Sequence, residues 1–103
     1  MDFIYILKSK MKNKLVSIIV NCFNGEKYLS QTLESILSQN YMNFEVIFVD
    51  NCSTDSSAKI FKKIKDKRFK YFKTKKKIKL YASRNFALKK CKGNFIAFLD
   101  SDD

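Results

Sequence analysis

The stretch FIAFLDSDD, residues 95–103, places five apolar residues directly before three carboxylates in four positions. A continuous apolar run is typical of a strand that is buried on both faces of a parallel sheet. Three acids at the tip of such a strand repel one another, so folding gains nothing from them. A hard divalent cation such as Mg²⁺ or Mn²⁺ takes oxygen ligands and would neutralise them. A solvated acidic turn is the alternative interpretation.

Composition indicates one folded domain at most. The chain has 103 residues, is 46% hydrophobic, and contains no Pro and two Gly, which is too apolar for a disordered chain. Its three cysteines, Cys22, Cys52 and Cys91, have neither the spacing of a zinc site nor an even number, and they favour a reducing cytosol. The sequence has no His, which excludes imidazole catalysis by these residues.

Positive charge is concentrated in one segment. The formal net charge is +11, and residues 59–79 carry twelve of the 21 basic residues with Asp66 as the only acid. Such a segment suggests an anionic neighbour, which includes phosphates, an acidic membrane surface and nucleic acid, or else a solvated lysine-rich face. Phe69, Tyr71 and Phe72 interleave with these lysines as base-stacking residues can. Alternation along a strand places some of them in the core, so we expect no nucleic-acid partner.

Residues 1–14 are expected to be an N-terminal extension of a domain over residues 15–103. The apolar residues 3–7 form a run too short for a membrane span, and the surrounding charges do not fit a secretory signal. The run and the lysines after it suit at most a weak association with a membrane surface.

Apolar strands alternate with amphipathic helices along the rest of the chain. Strands are predicted over residues 15–20, 44–50, 68–73 and 95–99, the third of them half-exposed at a sheet edge. The first helix follows turn residues 21–25, with Asn24 as its N-cap and with Leu29, Leu33, Ile36 and Leu37 on its buried face. The second helix turns Ile60, Phe61 and Ile64 inward. The third covers residues 81–92, with Gly93 as its C-cap.

This βαβαβαβ pattern predicts an α/β, Rossmann-like parallel sheet with helices on both faces and strand order 3-2-1-4. In that order the chain reverses direction between strands one and four, and ligands bind at the carboxyl ends of the strands beside that point. Polar residues follow three of the strands there: residues 21–24, Asp50 with Asn51, and residues 100–103. A functional site is therefore expected at this edge.

The motifs narrow the class of ligand. Strand one is followed by neither G-x-G-x-x-G nor a Walker-type loop, which argues against a dinucleotide oxidoreductase and a P-loop nucleotidase. A metal bound to Asp100 and Asp102 would instead link these carboxylates to a diphosphate and act as a Lewis acid. Arg84 is a candidate for binding nucleotide phosphates, with a surface salt bridge as the alternative.

Four segments together resemble glycosyltransferase family 2. They are VSIIVNCFNGEKYL (16–29), VDNCSTD (49–55), ASRN (82–85) and AFLDSDD (97–103). The resemblance covers about residues 15–103 and implies a GT-A fold, in which a nucleotide-binding half is joined to an acceptor half. It further implies transfer of a sugar from a nucleotide-diphosphate donor, usually UDP-linked, with Mg²⁺ or Mn²⁺ as cofactor.

The resemblance also implies residue roles. Asp102 would contact the metal, and Asp100, within the same DXD motif, would bind the ribose or a water on the metal. The donor-binding residues would be Asn21, Phe23, Asn24, Glu26, Asp50, Asn51, Arg84 and Asp100.

Three departures from the family pattern lie near the donor. Asn21 stands where many relatives have Pro, and Asn51 where many have a second Asp that accepts a hydrogen bond from the base. Lys77-Ile78-Lys79 replaces a more usual Asn-x-Gly and adds positive charge. Donor preference is the property these changes affect.

The sequence ends one residue beyond the DXD motif, and the family's acceptor site and catalytic base lie later. We therefore expect an incomplete domain that holds the donor-binding part, has no catalytic base and is inactive alone. The alternatives are a non-catalytic nucleotide-binding remnant, a basic nucleic-acid-binding module and a receiver-like domain. The resemblance implies that the acceptor is a glycan or a lipid-linked molecule and that the protein acts in polysaccharide biosynthesis. We expect a cytoplasmic location, with loose association at the inner face of the membrane, since this would suit that role.

Overall fold

The structure, a computed structural model, describes residues 13–99. Asp100, Asp102 and most of the predicted N-terminal extension lie outside these residues. The elements in chain order are β1 (Val16–Cys22), α1 (Glu26–Ser38), β2 (Phe44–Asp50), α2 (Ser57–Lys62), β3 (Phe69–Lys73), α3 (Leu80–Leu88) and β4 (Phe95–Phe98). No helix within residues 13–99 has the length and apolar character needed to cross a bilayer.

The four strands form one parallel sheet in the order β3-β2-β1-β4, which confirms the predicted topology. The central strands β1 and β2 are buried along their whole length. Their apolar and β-branched runs fit this position, because a strand covered on both faces needs no polar alternation.

Each face of the sheet has its own core. On one face Ile18, Val20, Val46 and Phe48 pack with α1 and α2, and the Phe48 ring stacks on Phe61 at a centroid distance of 4.2 Å. The other face is thinner. There Ile19, Ile47 and Val49 pack against Ala87 of α3. Because side chains alternate along a strand, the parity of a residue decides which of these faces it serves.

The turn after β1 differs from its prediction. Asn21 and Cys22 belong to the strand, since they pair with Val49 and Asp50 of β2. Asn24 has a φ of 49° and is not the N-cap of α1, a position that Gly25 occupies without a side-chain cap. Leu37 was expected on the buried face of α1, but it is 43% exposed.

The end of α3 also differs. The helix stops at Leu88, which is exposed, and its C-cap is Lys89 rather than Gly93. Gly93 instead passes close to β1. A Cβ there would lie 2.5 Å from Ser17 Oγ and 2.7 Å from Ser17 N, so only glycine fits.

The prediction that β4 is buried on both faces is wrong for the described structure. Phe95, Ile96 and Phe98 are 39%, 37% and 45% exposed, and Ala97 alone is buried. The physical reason is position, because β4 is an edge strand that pairs with β1 on one side.

Candidate functional site

A cavity of about 560 Å³ opens at the carboxyl ends of β1 and β2, beside the start of α3. Its volume lies in the range of small-molecule sites. It also adjoins the point where the chain order reverses, since β1 has β2 on one side and β4 on the other. The lining residues are Asn21, Cys22, Phe23, Asn51, Lys77, Ile78, Lys79, Leu80 and Ser83.

Asn21 joins β1 to the first turn of α3. Its Oδ1 accepts a hydrogen bond of 2.6 Å from Ser83 Oγ, and both residues are buried. This bond crosses 62 positions of sequence and fixes the start of α3 against the strand. The floor of the cavity is thereby rigid and polar.

Asn51 holds the loop that precedes α3. Its Nδ2 donates to Ile78 O at 2.7 Å, and its Oδ1 accepts from Ile78 N at 2.9 Å and from Thr74 Oγ1 at 3.2 Å. Residues 74–79, hereafter the 74–79 loop, form one wall of the cavity through Lys77, Ile78 and Lys79.

Positive charge lies at the cavity. Lys77 Nζ sits 3.6 Å from the centroid of the Phe23 ring, and both residues line the cavity. Such a cation–π contact at an exposed site contributes about 0.5–1 kcal/mol. Lys77 and Lys79 are exposed, so their ammonium groups remain available to an anionic ligand.

Asp50, a predicted donor-binding residue, is not among the cavity-lining residues. It is 1% exposed, and its carboxylate accepts hydrogen bonds from Tyr71 OH at 2.6 Å and Ser53 N at 2.8 Å. Tyr71 packs with Phe48 on the α1–α2 face, which is the face opposite Asn51. Burial and the bond to Asp50 raise the pKa of the Tyr71 hydroxyl above its ordinary value.

Asn24 and Glu26, also predicted to bind the donor, join two loops instead. Asn24 Oδ1 accepts from Thr54 N at 2.7 Å, and Glu26 Oε1 accepts from Ser56 N at 2.9 Å. Between the same two loops, the Asp55 carboxylate accepts a hydrogen bond from Glu26 N at 3.1 Å. Burial acts to raise the pKa of Asp55, but its hydrogen bonds outweigh this and lower it.

Arg84 lies in α3 with its Cζ 5.4 Å from the centroid of the Phe98 ring, and it is half-buried. It contacts β4 and is not a lining residue of the cavity. Leu99, the residue after β4, donates its N–H to Ile19 O of β1 at 2.8 Å. Among residues 13–99 there is no cluster of three potential metal ligands, and Asp100 and Asp102 follow directly after them.

Of the predicted donor-binding residues, Asn21, Phe23 and Asn51 therefore lie at the cavity. Lys77-Ile78-Lys79, predicted to lie near the donor, also line it, whereas Ser83 and Leu80 were missed. Ser83 lies within the ASRN segment, so its position was signalled although its role was not. The partner of Asp50, Tyr71, was missed because its hydroxyl acts across two strands.

The family model of glycosyl transferase family 2 matches residues 17–103. This chain is thus a member of glycosyl transferase family 2. The match includes β2, β3, β4, all of β1 except Val16, and every residue that lines the cavity.

Curated relatives are glycosyltransferases. The chain is 47% identical over 90 residues to the Escherichia coli UDP-Glc:alpha-D-GlcNAc-diphosphoundecaprenol beta-1,3-glucosyltransferase WfaP, covering 87% of this chain and 36% of WfaP. It spans 38% of an uncharacterised glycosyltransferase from Haemophilus influenzae, to which it is 46% identical over 95 residues, or 90% of this chain.

Solved structures agree on the GT-A fold. Staphylococcus aureus TarS in complex with UDP-GlcNAc matches with a TM-score of 0.78 and 36% identity, over 84% of this chain and 26% of that one. The Pyrobaculum calidifontis mannosyltransferase PcManGT, solved with GDP-Man and Mn²⁺, has a TM-score of 0.79 over 84% of this chain and 27% of that one. At 24% identity this second likeness shows the fold alone.

Proposed function

We propose that residues 15–103 are the donor-binding part of a glycosyltransferase that transfers a sugar from a nucleotide-diphosphate donor, with a UDP-sugar as the favoured class. The observation that carries this proposal is the cavity at the reversal point of the sheet, with Lys77 and Lys79 in its lining. Cationic side chains suit the diphosphate, and a polar floor suits the nucleoside. The likeness to TarS, solved with UDP-GlcNAc, supports the choice of nucleotide.

Metal assistance is the second part of the proposal. Asp100 and Asp102 follow in sequence after Leu99, whose N–H donates to Ile19 O of β1, and we propose that they hold the ion. Carboxylate oxygens fit Mg²⁺ or Mn²⁺. When bound, such an ion neutralises the charge that develops on the diphosphate leaving group.

The acceptor is a proposal for the whole protein, since this chain spans 36% of the length of WfaP. WfaP carries a diphosphoundecaprenol-linked acceptor in its name, and we propose a lipid-linked or glycan acceptor here, in polysaccharide biosynthesis. A cytoplasmic protein held loosely at the inner face of the membrane fits such an acceptor. The carboxylate that activates the acceptor hydroxyl is proposed to lie beyond Asp103.

Calorimetric titration of the full-length protein with UDP, with and without Mn²⁺, tests the donor and metal roles together. We expect binding that needs the metal, and at least a tenfold loss of affinity in Asp102→Asn. Glu34→Gln removes one exposed carboxylate on α1 and serves as the matched control. If Asp102→Asn binds UDP with unchanged affinity in Mn²⁺, the metal role is wrong. If the wild type binds no nucleoside diphosphate at all, the proposed function fails.

A further inference from the structure

Asn51 and Ile78 interact as a carboxamide with a peptide group. The side chain of Asn51 donates to Ile78 O at 2.7 Å and accepts from Ile78 N at 2.9 Å. Two such parallel hydrogen bonds fix the orientation of the Ile78 peptide group as well as its distance from the Asn51 side chain. They hold the 74–79 loop at its last turn before α3.

The oxygen of the same side chain has little capacity left to accept a hydrogen bond from a ligand. An amide oxygen has two lone pairs, and the Asn51 oxygen already accepts from Ile78 N and from Thr74 Oγ1 at 3.2 Å. Asn51 and Thr74 are each 7% exposed, so these bonds are shielded from water. The main chain of Asn51 is held too, since its N–H donates to Cys22 O at 2.8 Å.

We infer that Asn51 is a positioning residue that latches the 74–79 loop against β2 and so presents Lys77 and Lys79 to the cavity, instead of accepting a hydrogen bond from the ligand itself. The nucleotide part of this inference rests on the proposed function. This arrangement favours a ligand rich in hydrogen-bond acceptors, above all phosphate oxygens, because the wall of the cavity presents the cations Lys77 and Lys79. A carboxylate at position 51 would instead present a hydrogen-bond acceptor.

An aspartate at position 51 breaks this latch although it has the same shape. Asn51→Asp replaces the Nδ2 donor by an oxygen that faces the Ile78 carbonyl oxygen at about the present 2.7 Å. Two acceptors at that distance repel each other, and a buried carbonyl is left without its donor. The loop is then expected to move away from β2, taking Lys77 with it.

Limited trypsin digestion measures the latch directly, because the 74–79 loop contains Lys75, Lys76, Lys77 and Lys79. In the full-length protein, Asn51→Asp is expected to speed cleavage within residues 75–79 at least tenfold while circular dichroism shows a folded chain. The matched control is Asn40→Asp, which makes the same chemical change at an exposed residue just beyond α1. Equal cleavage rates in wild type and Asn51→Asp would overturn the inference.

Hydrogen exchange of the wild type gives a second readout that needs no variant. The Ile78 amide is expected to exchange at least 100-fold more slowly than an exposed loop amide, since its N–H is bonded to Asn51. Fast exchange of this amide would overturn the latch, even if Asn51→Asp failed to fold. Neither measurement uses nucleotide, so a protein that binds no UDP leaves the latch test intact and refutes only the proposed function.

A double-mutant cycle on UDP affinity separates positioning from a merely structural role. Lys77→Met is expected to weaken UDP binding about tenfold in the wild type, since it removes a charge-assisted contact. In the Asn51→Asp background the same substitution is expected to cost about twofold or less, because Lys77 is already misplaced. Additive effects would show that Asn51 does not act through Lys77, and a gain of UDP affinity in Asn51→Asp would show that position 51 contacts the base.

Discussion

Glu45 is a charged residue buried far from the cavity, near the amino ends of the strands. It is 4% exposed, and its carboxylate accepts from Ser17 Oγ at 2.6 Å, Lys92 N at 2.6 Å and Lys70 Nζ at 2.9 Å. Burial acts to raise the pKa of Glu45, but the hydrogen bonds and the Lys70 charge outweigh it and lower the pKa below its ordinary 4.5. This carboxylate ties β1, β3 and the α3–β4 connection together.

Glu45→Gln should lower the free energy of unfolding by about 1–3 kcal/mol at pH 7, because a buried ion pair and its hydrogen bonds are broken. A carboxyl with a lowered pKa stabilises the fold above its unfolded pKa and loses that contribution as the pH falls through the folded pKa. The gap between wild type and Glu45→Gln should therefore narrow below pH 4.5. Urea unfolding of both proteins at pH 7 and at acidic pH measures this difference in the free energy of unfolding. A difference that does not change with pH would contradict the charged role of Glu45.

Neighbouring polar residues at the carboxyl end of β2 have different partners. Asp50 and Asn51 are neighbours in sequence, yet Asp50 bonds to Tyr71 on the α1–α2 side while Asn51 lines the cavity. Adjacent residues at the end of one strand thus serve different functions, because their side chains point to opposite faces.

Tyr71→Phe tests this separation. Removing the hydroxyl leaves a buried carboxylate with one donor fewer, so the free energy of unfolding should fall by about 1–3 kcal/mol. UDP affinity should change by about twofold or less, since the lost bond lies on the face away from the cavity. Thermal unfolding and UDP titration of the same variant provide the two readings. A large loss of affinity with unchanged stability would place Asp50 in the donor site.

The sequence was sufficient to predict the helices and strands and the order of the strands in the sheet. Apolar runs located three of the strands, and alternation of apolar and basic residues located the half-exposed third strand, which was correctly placed at an edge. What could not be predicted depends on tertiary contacts. Gly93 resembles a helix cap in sequence, and only the approach of Ser17 explains it. Asn24 has the chemistry of a cap, but Thr54 and Asp55 compete for its oxygen.

At the site, sequence reasoning identified the edge of the sheet and three of the lining residues. It could not distinguish Asp50 from Asn51, because Asp50 ends β2 and Asn51 follows it directly. It also flagged Lys77-Ile78-Lys79 as a source of charge without foreseeing that Ile78 is held by Asn51. This hydrogen bond joins residues 27 positions apart in the sequence, so no local sequence pattern indicates it.

At the scale of the molecule, the described residues 13–99 expose an apolar strip along β4. Phe95, Ile96 and Phe98 are each more than one-third exposed on an edge strand. Exposed apolar edges promote pairing between copies, so a polypeptide of residues 1–103 alone is expected to self-associate.

Sedimentation velocity of that polypeptide at micromolar concentration should show dimers or larger species. Ile96→Lys should shift it toward monomer, whereas Leu37→Lys, the same change at a residue of α1 that is 43% exposed, should not. A monodisperse monomer with cooperative unfolding would contradict this prediction.

The central claim is that the cavity between β1, β2 and α3 binds a nucleoside diphosphate. Hydrogen–deuterium exchange of the full-length protein, with and without UDP and Mn²⁺, tests it most directly. We expect slower exchange in residues 21–25 and 74–83, and unchanged exchange in residues 29–36 and 60–64 on the opposite face. Protection confined to other segments, or none at saturating UDP, would contradict it.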